Sequence, residues 1–119
     1  MKLSNPSKEK GARSEREAAE LLTRLSGYSC RRALGAGRHD DVGDIDGLPA
    51  VVQVTDRTEL SAALAKLPDV KVQKTNANRR WGVLMVRRRG GKYIMVMEPD
   101  EWVTMMMWAE RGVQTALSS

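Results

Sequence analysis

Two apolar runs separated by a glycine pair make up residues 81–97, WGVLMVRRRGGKYIMVM. Gly90 and Gly91 are a strong turn signal, because glycine readily adopts the positive φ angles that tight hairpin turns require. Each flanking run has the length and the apolar character of a strand. This stretch therefore predicts a β-hairpin, and the fold must include a sheet.

Three other segments repeat apolar residues three or four positions apart, which is the spacing of an α-helix. They cover residues 14–26, 58–67 and 99–111. We expect Pro68 to end the second helix and Gly112 to end the third. The pattern leaves open whether the first helix begins earlier, near Pro6, and it does not decide the structure of residues 70–80.

Short segments at residues 28–34 and within residues 43–57 are expected to be strands. The resulting order indicates an α/β or α+β fold with a mixed central sheet flanked by helices. A chain of 119 residues with 41% hydrophobic residues is long enough for one core and too short for two. We predict one domain over residues 14–112, between a basic, partly flexible segment (1–13) and a tail (113–119).

The segment GDIDGLPAVVQVTDR, residues 43–57, predicts two strands joined by a four-residue turn. Opposed residues of an antiparallel pair point to the same side of the sheet, and side chains alternate along each strand. In this register Asp46 faces Val51, and Asp44 faces Gln53. One side then carries the polar residues Asp44, Asp46, Gln53 and Thr55. That side is either the water-facing side of an ordinary hairpin or a catalytic site.

A carboxylate of the first predicted helix bears on this choice. Glu15 lies three residues before Ala18 and seven before Leu22, so we expect it near the core-facing stripe of that helix. Burying an unpaired charge is costly, so a carboxylate there needs a partner or a cation. Alternatively, Glu15 is a first-turn glutamate that the helix dipole stabilises.

The motifs KGARSERE, GDIDGLP and WGVLMVRRRGGKYIMVM follow one another with a basic strand and an Ala/Leu-rich helix between them. Over roughly residues 8–108, this series resembles small phage-encoded members of the PD-(D/E)XK nuclease superfamily, those similar to archaeal Holliday junction resolvases. The resemblance implies a restriction-endonuclease-like fold. It also implies an endonuclease that acts on branched or duplex DNA with Mg²⁺ or Mn²⁺, in a host cytoplasm if the protein is phage-encoded.

The resemblance assigns candidate catalytic residues by motif. Glu15, Asp44 and Gln53 correspond to metal ligands, and Thr55 occupies the position of the family's lysine. Gln53 replaces a glutamate, so it offers an oxygen to the metal without a negative charge. Thr55 replaces an ammonium that positions the attacking water and stabilises charge on the phosphate, which a hydroxyl does poorly.

Three functions stay open. The first is an endonuclease in which Lys71, Lys74 or Arg57 supplies the missing positive charge from another element. The second is a catalytically silent DNA-binding protein that keeps the fold and the basic surface. The third is a protein-interaction module without a role at DNA.

Positive charge is in excess, with 20 lysines and arginines against 15 aspartates and glutamates. A net charge of +5 suits a phosphate backbone, and arginine forks onto phosphate oxygens. The predicted DNA-binding residues are Arg31, Arg32, Arg38, His39, Arg79, Arg80, Arg87, Arg88, Arg89 and Lys92. The alternative is that these groups are solvated turns, since hairpin tips are commonly charged.

Cys30 is the only cysteine, which excludes a disulfide within the chain and a cysteine-rich zinc site and fits a reducing cytoplasm. No stretch approaches the roughly 18 consecutive apolar residues of a membrane span, so we expect no membrane partner. The last predicted helix carries three methionines and two tryptophans on more than one face. We therefore expect a homodimer through this helix, and the resemblance implies the same.

Overall fold

The computed structural model describes residues 6–33 and 41–118. In chain order the elements are α1 (Pro6–Ser26), β1 (Arg31–Arg32), β2 (Ile45–Asp46), β3 (Ala50–Thr55), α2 (Leu60–Leu64), α3 (Leu67–Ala77), β4 (Trp81–Arg88), β5 (Lys92–Val96) and α4 (Pro99–Ser118). The main sheet has the order β3–β4–β5, and β1 pairs with β2 in a separate two-stranded ladder.

The main sheet is mixed, because β3 and β4 run parallel while β4 and β5 run antiparallel. The predicted hairpin of residues 81–97 is confirmed. β4 and β5 join through a short 3-10 turn, in which Gly90 and Gly91 both have positive φ. A parallel pair needs a long crossover connection, and α2 and α3 supply it between β3 and β4.

Helices cover both faces of this sheet. One core cluster lies between α1 and the sheet, and its central residues are Ala18, Leu22, Ile45, Val52, Val54 and Met85. The other lies beneath α2 and α3, and its residues are Ala63, Val70, Leu84 and Val86. Strand β3 is buried on both faces, as parallel strands usually are, so it is a nearly continuous apolar run. The predicted class, a mixed sheet flanked by helices, is confirmed.

The structure decides the start of the first helix, which the sequence left open: α1 begins at Pro6, so much of the basic N-terminal segment is helical. The two predicted helix ends at Pro68 and Gly112 are wrong. Pro68 does not end a helix but lies in the first turn of α3, where a proline loses no intrahelical hydrogen bond. α3 then continues to Ala77, which settles most of the undecided stretch. α4 passes through Gly112 and continues to Ser118, so the predicted tail is largely helical.

The predicted pairing of Asp46 with Val51 is also wrong. Asp46 pairs with Arg31 of β1 rather than facing Val51 of β3. The strand predicted at residues 28–34 is correspondingly reduced to the two residues of β1.

Gly47 gives the physical reason for this pairing. Its φ of +116° is one that residues with a side chain rarely adopt, and a Cβ atom at this position would overlap the backbone of Ser29. The turn therefore packs directly against the chain that leads into β1. This close approach places β2 beside β1.

The polar side of β3 does not face water. Thr55 is buried, and Gln53 is half-buried beneath α3. The interpretation of this side as the wet side of a hairpin is therefore wrong for β3, whereas Asp46 is exposed. In the part of the chain that the structure describes, no helix is long and apolar enough to cross a membrane.

Candidate functional site

Two hydrogen bonds hold Asp44 against the edge of β3 that β4 does not pair with. β4 pairs with only one edge of β3, so the backbone groups of the other edge need partners. The Asp44 N–H donates to the carbonyl oxygen of Val52 at 2.8 Å, and the Val54 N–H donates to Oδ2 of Asp44 at 2.8 Å. The carboxylate is thereby held beside the carboxyl end of β3.

The pKa of Asp44 is raised from its usual 3.8 to about 6, chiefly because burial disfavours the charged carboxylate. The negative charges of Glu15 and Asp41 raise this pKa as well, whereas the hydrogen bond from Val54 and the positive charge of Arg32 lower it. The structure therefore brings Glu15 and Asp44 into one electrostatically coupled group. Asp41 also belongs to this group, and nothing in the sequence pattern had pointed to it.

Glu15 already has a cationic partner. Nε of Arg32, on β1, donates to Oε2 of Glu15 at 2.8 Å. Because α1 begins at Pro6, Glu15 is well beyond the first turn, so the interpretation as a first-turn glutamate is wrong. The expectation that this carboxylate needs a partner is met, and the partner is one of the arginines predicted to bind DNA.

Gln53 points toward α3 and contacts a residue that sequence reasoning missed. Its Oε1 accepts a hydrogen bond from Nε2 of Gln73, which also donates to Oδ2 of Asp41 at 2.8 Å. Gln73 is fully buried, and its own Oε1 has no hydrogen-bond partner among the described residues. The sequence could have indicated that Gln73 is buried, because it lies three residues after Val70 and therefore on the same, inner side of α3.

The resemblance places a lysine at the position of Thr55, and Lys74 of α3 does not supply that positive charge. Nζ of Lys74 forms an ion pair with Oε2 of Glu101 at 2.9 Å, and Oε1 of Glu101 accepts the Gly82 N–H at 2.6 Å. Lys74 therefore ties α3 to α4 instead. Lys71 is exposed on α3, and Arg57 is exposed just after β3.

The described residues provide only part of a metal site. No group of three or more His, Cys, Asp or Glu residues among them could hold a metal ion. Glu15 and Asp44 would supply the negative charge of a metal site. However, Glu15 is paired with Arg32, and Oε1 of Gln53 already accepts a hydrogen bond from Gln73. Mg²⁺ can bind through one or two carboxylates with waters, so the oxygens of Glu15 and Asp44 have the right chemistry for a weak site, but the contact between Arg32 and Glu15 would first have to break.

The predicted DNA-binding residues do not form one surface. Arg79 and Arg80 lie at the amino end of β4, whereas Arg87, Arg88, Arg89 and Lys92 lie at its carboxyl end. At about 3.3 Å per strand residue, the eight residue steps from Arg80 to Arg88 span about 26 Å. Arg38 and His39 lie outside the described residues.

Internal contacts also occupy some of these cations. Nε of Arg87 donates to Oε1 of Glu17 at 3.0 Å, and the guanidinium of Arg80 lies 4.0 Å from the ring centre of Trp108. No ion pair among the described residues involves Arg31, Arg79, Arg88, Arg89 or Lys92. These five side chains keep their charge available to a partner.

The chain matches no protein-family model, no curated protein and no solved structure at a significant level. The resemblance to PD-(D/E)XK nucleases thus stays a prediction from the sequence motifs.

Proposed function

We propose that the protein binds branched or duplex DNA at the carboxyl ends of β3 and β4, as a nuclease-like protein of the Holliday junction resolvase type in the cytoplasm. The observation that carries this proposal is the coupled carboxylate pair, Glu15 and Asp44, beside the carboxyl end of β3. In open α/β sheets, ligands bind outside the carboxyl ends of the parallel strands. β3 and β4 are the parallel strands here.

The basic residues of this end support binding to the DNA backbone. Thr55 is opposite Val86 in the parallel register, so Arg57, which follows β3, and Arg88, which ends β4, lie at the same end of the sheet. Lys92 is paired with Arg88 across the hairpin. Arginine and lysine bind phosphate without regard to base sequence, which suits a protein that selects DNA by its shape.

Cleavage with Mg²⁺ or Mn²⁺ would use the same carboxylates. Glu15 and Asp44 would be the charged ligands and Gln53 a neutral one, and the ion would polarise water and neutralise charge on the phosphate. A bound cation favours the ionised form of Asp44, so metal affinity should increase with pH up to the region above its pKa of about 6. Thr55 contributes no positive charge to this step.

A catalytically silent DNA-binding protein is the second candidate, and a specific observation favours it. Arg32 binds Glu15 and Gln73 binds Gln53, so two of the three candidate ligands already have protein partners. In this case Arg32 replaces the metal as the cation beside Glu15. DNA binding would then be independent of divalent ions.

Binding and cleavage of a labelled four-way junction and a linear duplex distinguish these candidates. We expect affinity in EDTA to fall steeply with salt, because phosphate contacts release counterions. Replacing Arg88, Arg89 and Lys92 with glutamine should flatten this dependence, and Arg79→Gln tests separately whether the opposite end of β4 contributes. Absence of binding would exclude both DNA functions and leave the protein-interaction module.

Cleavage is then assayed with Mg²⁺ or Mn²⁺ at about pH 8. Metal-dependent cutting by the wild type, lost in Asp44→Asn while binding persists, identifies an endonuclease. Binding of the junction without cutting by the wild type identifies the silent protein.

We further propose that α4 forms a homodimer. Trp102, Met106, Val113 and Leu117 are exposed and follow one another at spacings of four, seven and four residues, which keeps them on one side of the helix. The side of α4 that faces its own domain carries Glu101, which is buried, and Trp108, which contacts Trp81 edge-on at 6.5 Å. A second copy of α4 fits the exposed stripe, because a self-complementary apolar surface suits a twofold contact.

A further inference from the structure

A cavity of about 660 Å³ opens at the carboxyl end of β3. Its walls come from α1, from the end of β3 and the loop that follows, and from α2 with the short link to α3. The wall residues that bear on its chemistry are Lys10, Thr55, Asp56, Arg57, Glu59 and Lys66. The cavity borders the candidate site, because Gln53 and Val54 also line it and the Val54 N–H donates to Asp44, but neither Glu15 nor Asp44 lies in its wall.

Positive charge in this cavity comes from three separate elements. Lys66 is half-buried and Arg57 is exposed, and neither forms an ion pair within the described residues. Within residues 6–33 and 41–118, the one ion pair of Lys10 is with Asp56, at 3.7 Å between Nζ and Oδ1. Lys66 and Arg57 therefore have no protein counter-ion among the described residues, and an anionic ligand in the cavity would supply one.

Asp56, the carboxylate beside Lys10, already has a hydrogen-bond partner within the protein. Oδ2 of Asp56 accepts a hydrogen bond from the buried hydroxyl of Ser14 at 2.5 Å, and the backbone oxygen of Ser14 accepts one from the Tyr93 hydroxyl at 2.9 Å. This chain of contacts holds Asp56 against α1. The wall carries three positive charges, on Lys10, Arg57 and Lys66. It carries two negative charges, on Asp56 and Glu59, so the cavity has a net charge of +1.

We propose that this cavity binds a phosphate group through Arg57, Lys66 and Lys10. Arginine can fork onto two phosphate oxygens and lysine acts as a point charge, while the hydroxyl of Thr58 in the wall can donate to a third oxygen. The phosphate is either an internal phosphodiester of DNA or the terminal phosphate of a strand or nucleotide. The first source rests on the proposed function, whereas the second does not require it.

Phosphate binding is measured by amide chemical shifts and calorimetry, with inorganic phosphate and a 5′-phosphorylated trinucleotide as probes. We expect shifts at Arg57, Thr58 and Lys66, and a loss of affinity of at least tenfold in the double variant Arg57→Gln with Lys66→Gln. Lys71→Gln, an exposed lysine of α3 outside the cavity, is the matched control and should change affinity less than twofold. Lys66→Arg should restore most of the binding.

The 5′-hydroxyl form of the trinucleotide separates the two sources. Equal binding of both forms assigns the cavity to internal phosphodiesters, and binding of the 5′-phosphorylated form alone assigns it to terminal phosphates. If the wild type binds junction DNA and the double variant binds it and phosphate equally well, the inference is wrong and the proposed function stands. Phosphate binding in the cavity without any DNA binding would instead support the inference and overturn the proposed function.

Discussion

Replacing Asp44 with asparagine should stabilise the folded protein near neutral pH. The Asp44 carboxylate is largely buried and lies near the charges of Glu15 and Asp41, which raises its pKa to about 6. Asparagine keeps an oxygen that can accept the Val54 N–H, so the hydrogen bond to the edge of β3 persists. The substitution therefore removes a buried charge without removing its structural contact.

The size of the effect follows from the two pKa values. Each pKa unit corresponds to about 1.4 kcal/mol, so a change from 3.8 to about 6 makes ionised Asp44 cost about 3 kcal/mol of folding free energy. Below pH 3.8 the carboxyl is protonated in both the folded and the unfolded state, and the cost is absent. It grows as the pH rises between the two values and is complete above pH 6.

Urea unfolding of the wild type and Asp44→Asn between about pH 4 and pH 8 checks this prediction. The variant should be more stable by up to about 3 kcal/mol at pH 8, and the difference should shrink toward pH 4. Asp46→Asn, at an exposed position of β2, is the control and should leave the pH dependence of stability unchanged. A variant that is no more stable than the wild type at pH 8 would refute the assigned cost of the buried charge.

The remaining predictions concern the incomplete metal site, the dimer and a buried ion pair. Gln53→Glu combined with Thr55→Lys should increase metal-dependent cutting of junction DNA about a hundredfold, and equal rates in a cleavage assay would show that these positions do not limit catalysis. Met106→Glu with Val113→Glu should convert a dimer of twice the 13.2 kDa chain mass into a monomer in light scattering, which a monomeric wild type would contradict. Glu101→Gln should destabilise the protein by about 3 kcal/mol in urea unfolding, because it leaves a half-buried ammonium unpaired, and a loss below about 1 kcal/mol would argue against this role.

The sequence predicted the hairpin and the fold class, because both depend on residues close together in the chain. The hairpin around Gly90 and Gly91 was predictable because the turn needs only the conformational freedom of its glycines. The mixed sheet flanked by helices followed from the order of apolar periods along the chain. The prediction that Pro68 ends a helix was wrong because proline occurs both after helices and in their first turn. Which of the two applies here depends on the packing of α3.

The candidate site was less predictable because it depends on contacts between distant segments. The pairing of Asp46 with Arg31 depends on the approach of Gly47 to the backbone of Ser29, which no local pattern encodes. The ion pair between Arg32 and Glu15 likewise joins β1 to α1. The motifs made Glu15 and Asp44 candidates, but the contacts of Arg32 with Glu15 and of Val54 with Asp44 became visible only in three dimensions.

Helix α4 is attached to the rest of the protein near its amino end. Glu101 is buried against Lys74 and Gly82, and Trp108 contacts Trp81, but every described residue after Trp108 is exposed. An isolated helical segment of this length is only marginally stable in water, so its last turns should open and close far more often than the sheet does. Amide hydrogen exchange and proteolysis should therefore begin in this segment, and any partner that covers the stripe would protect the carboxyl-terminal half of α4 first.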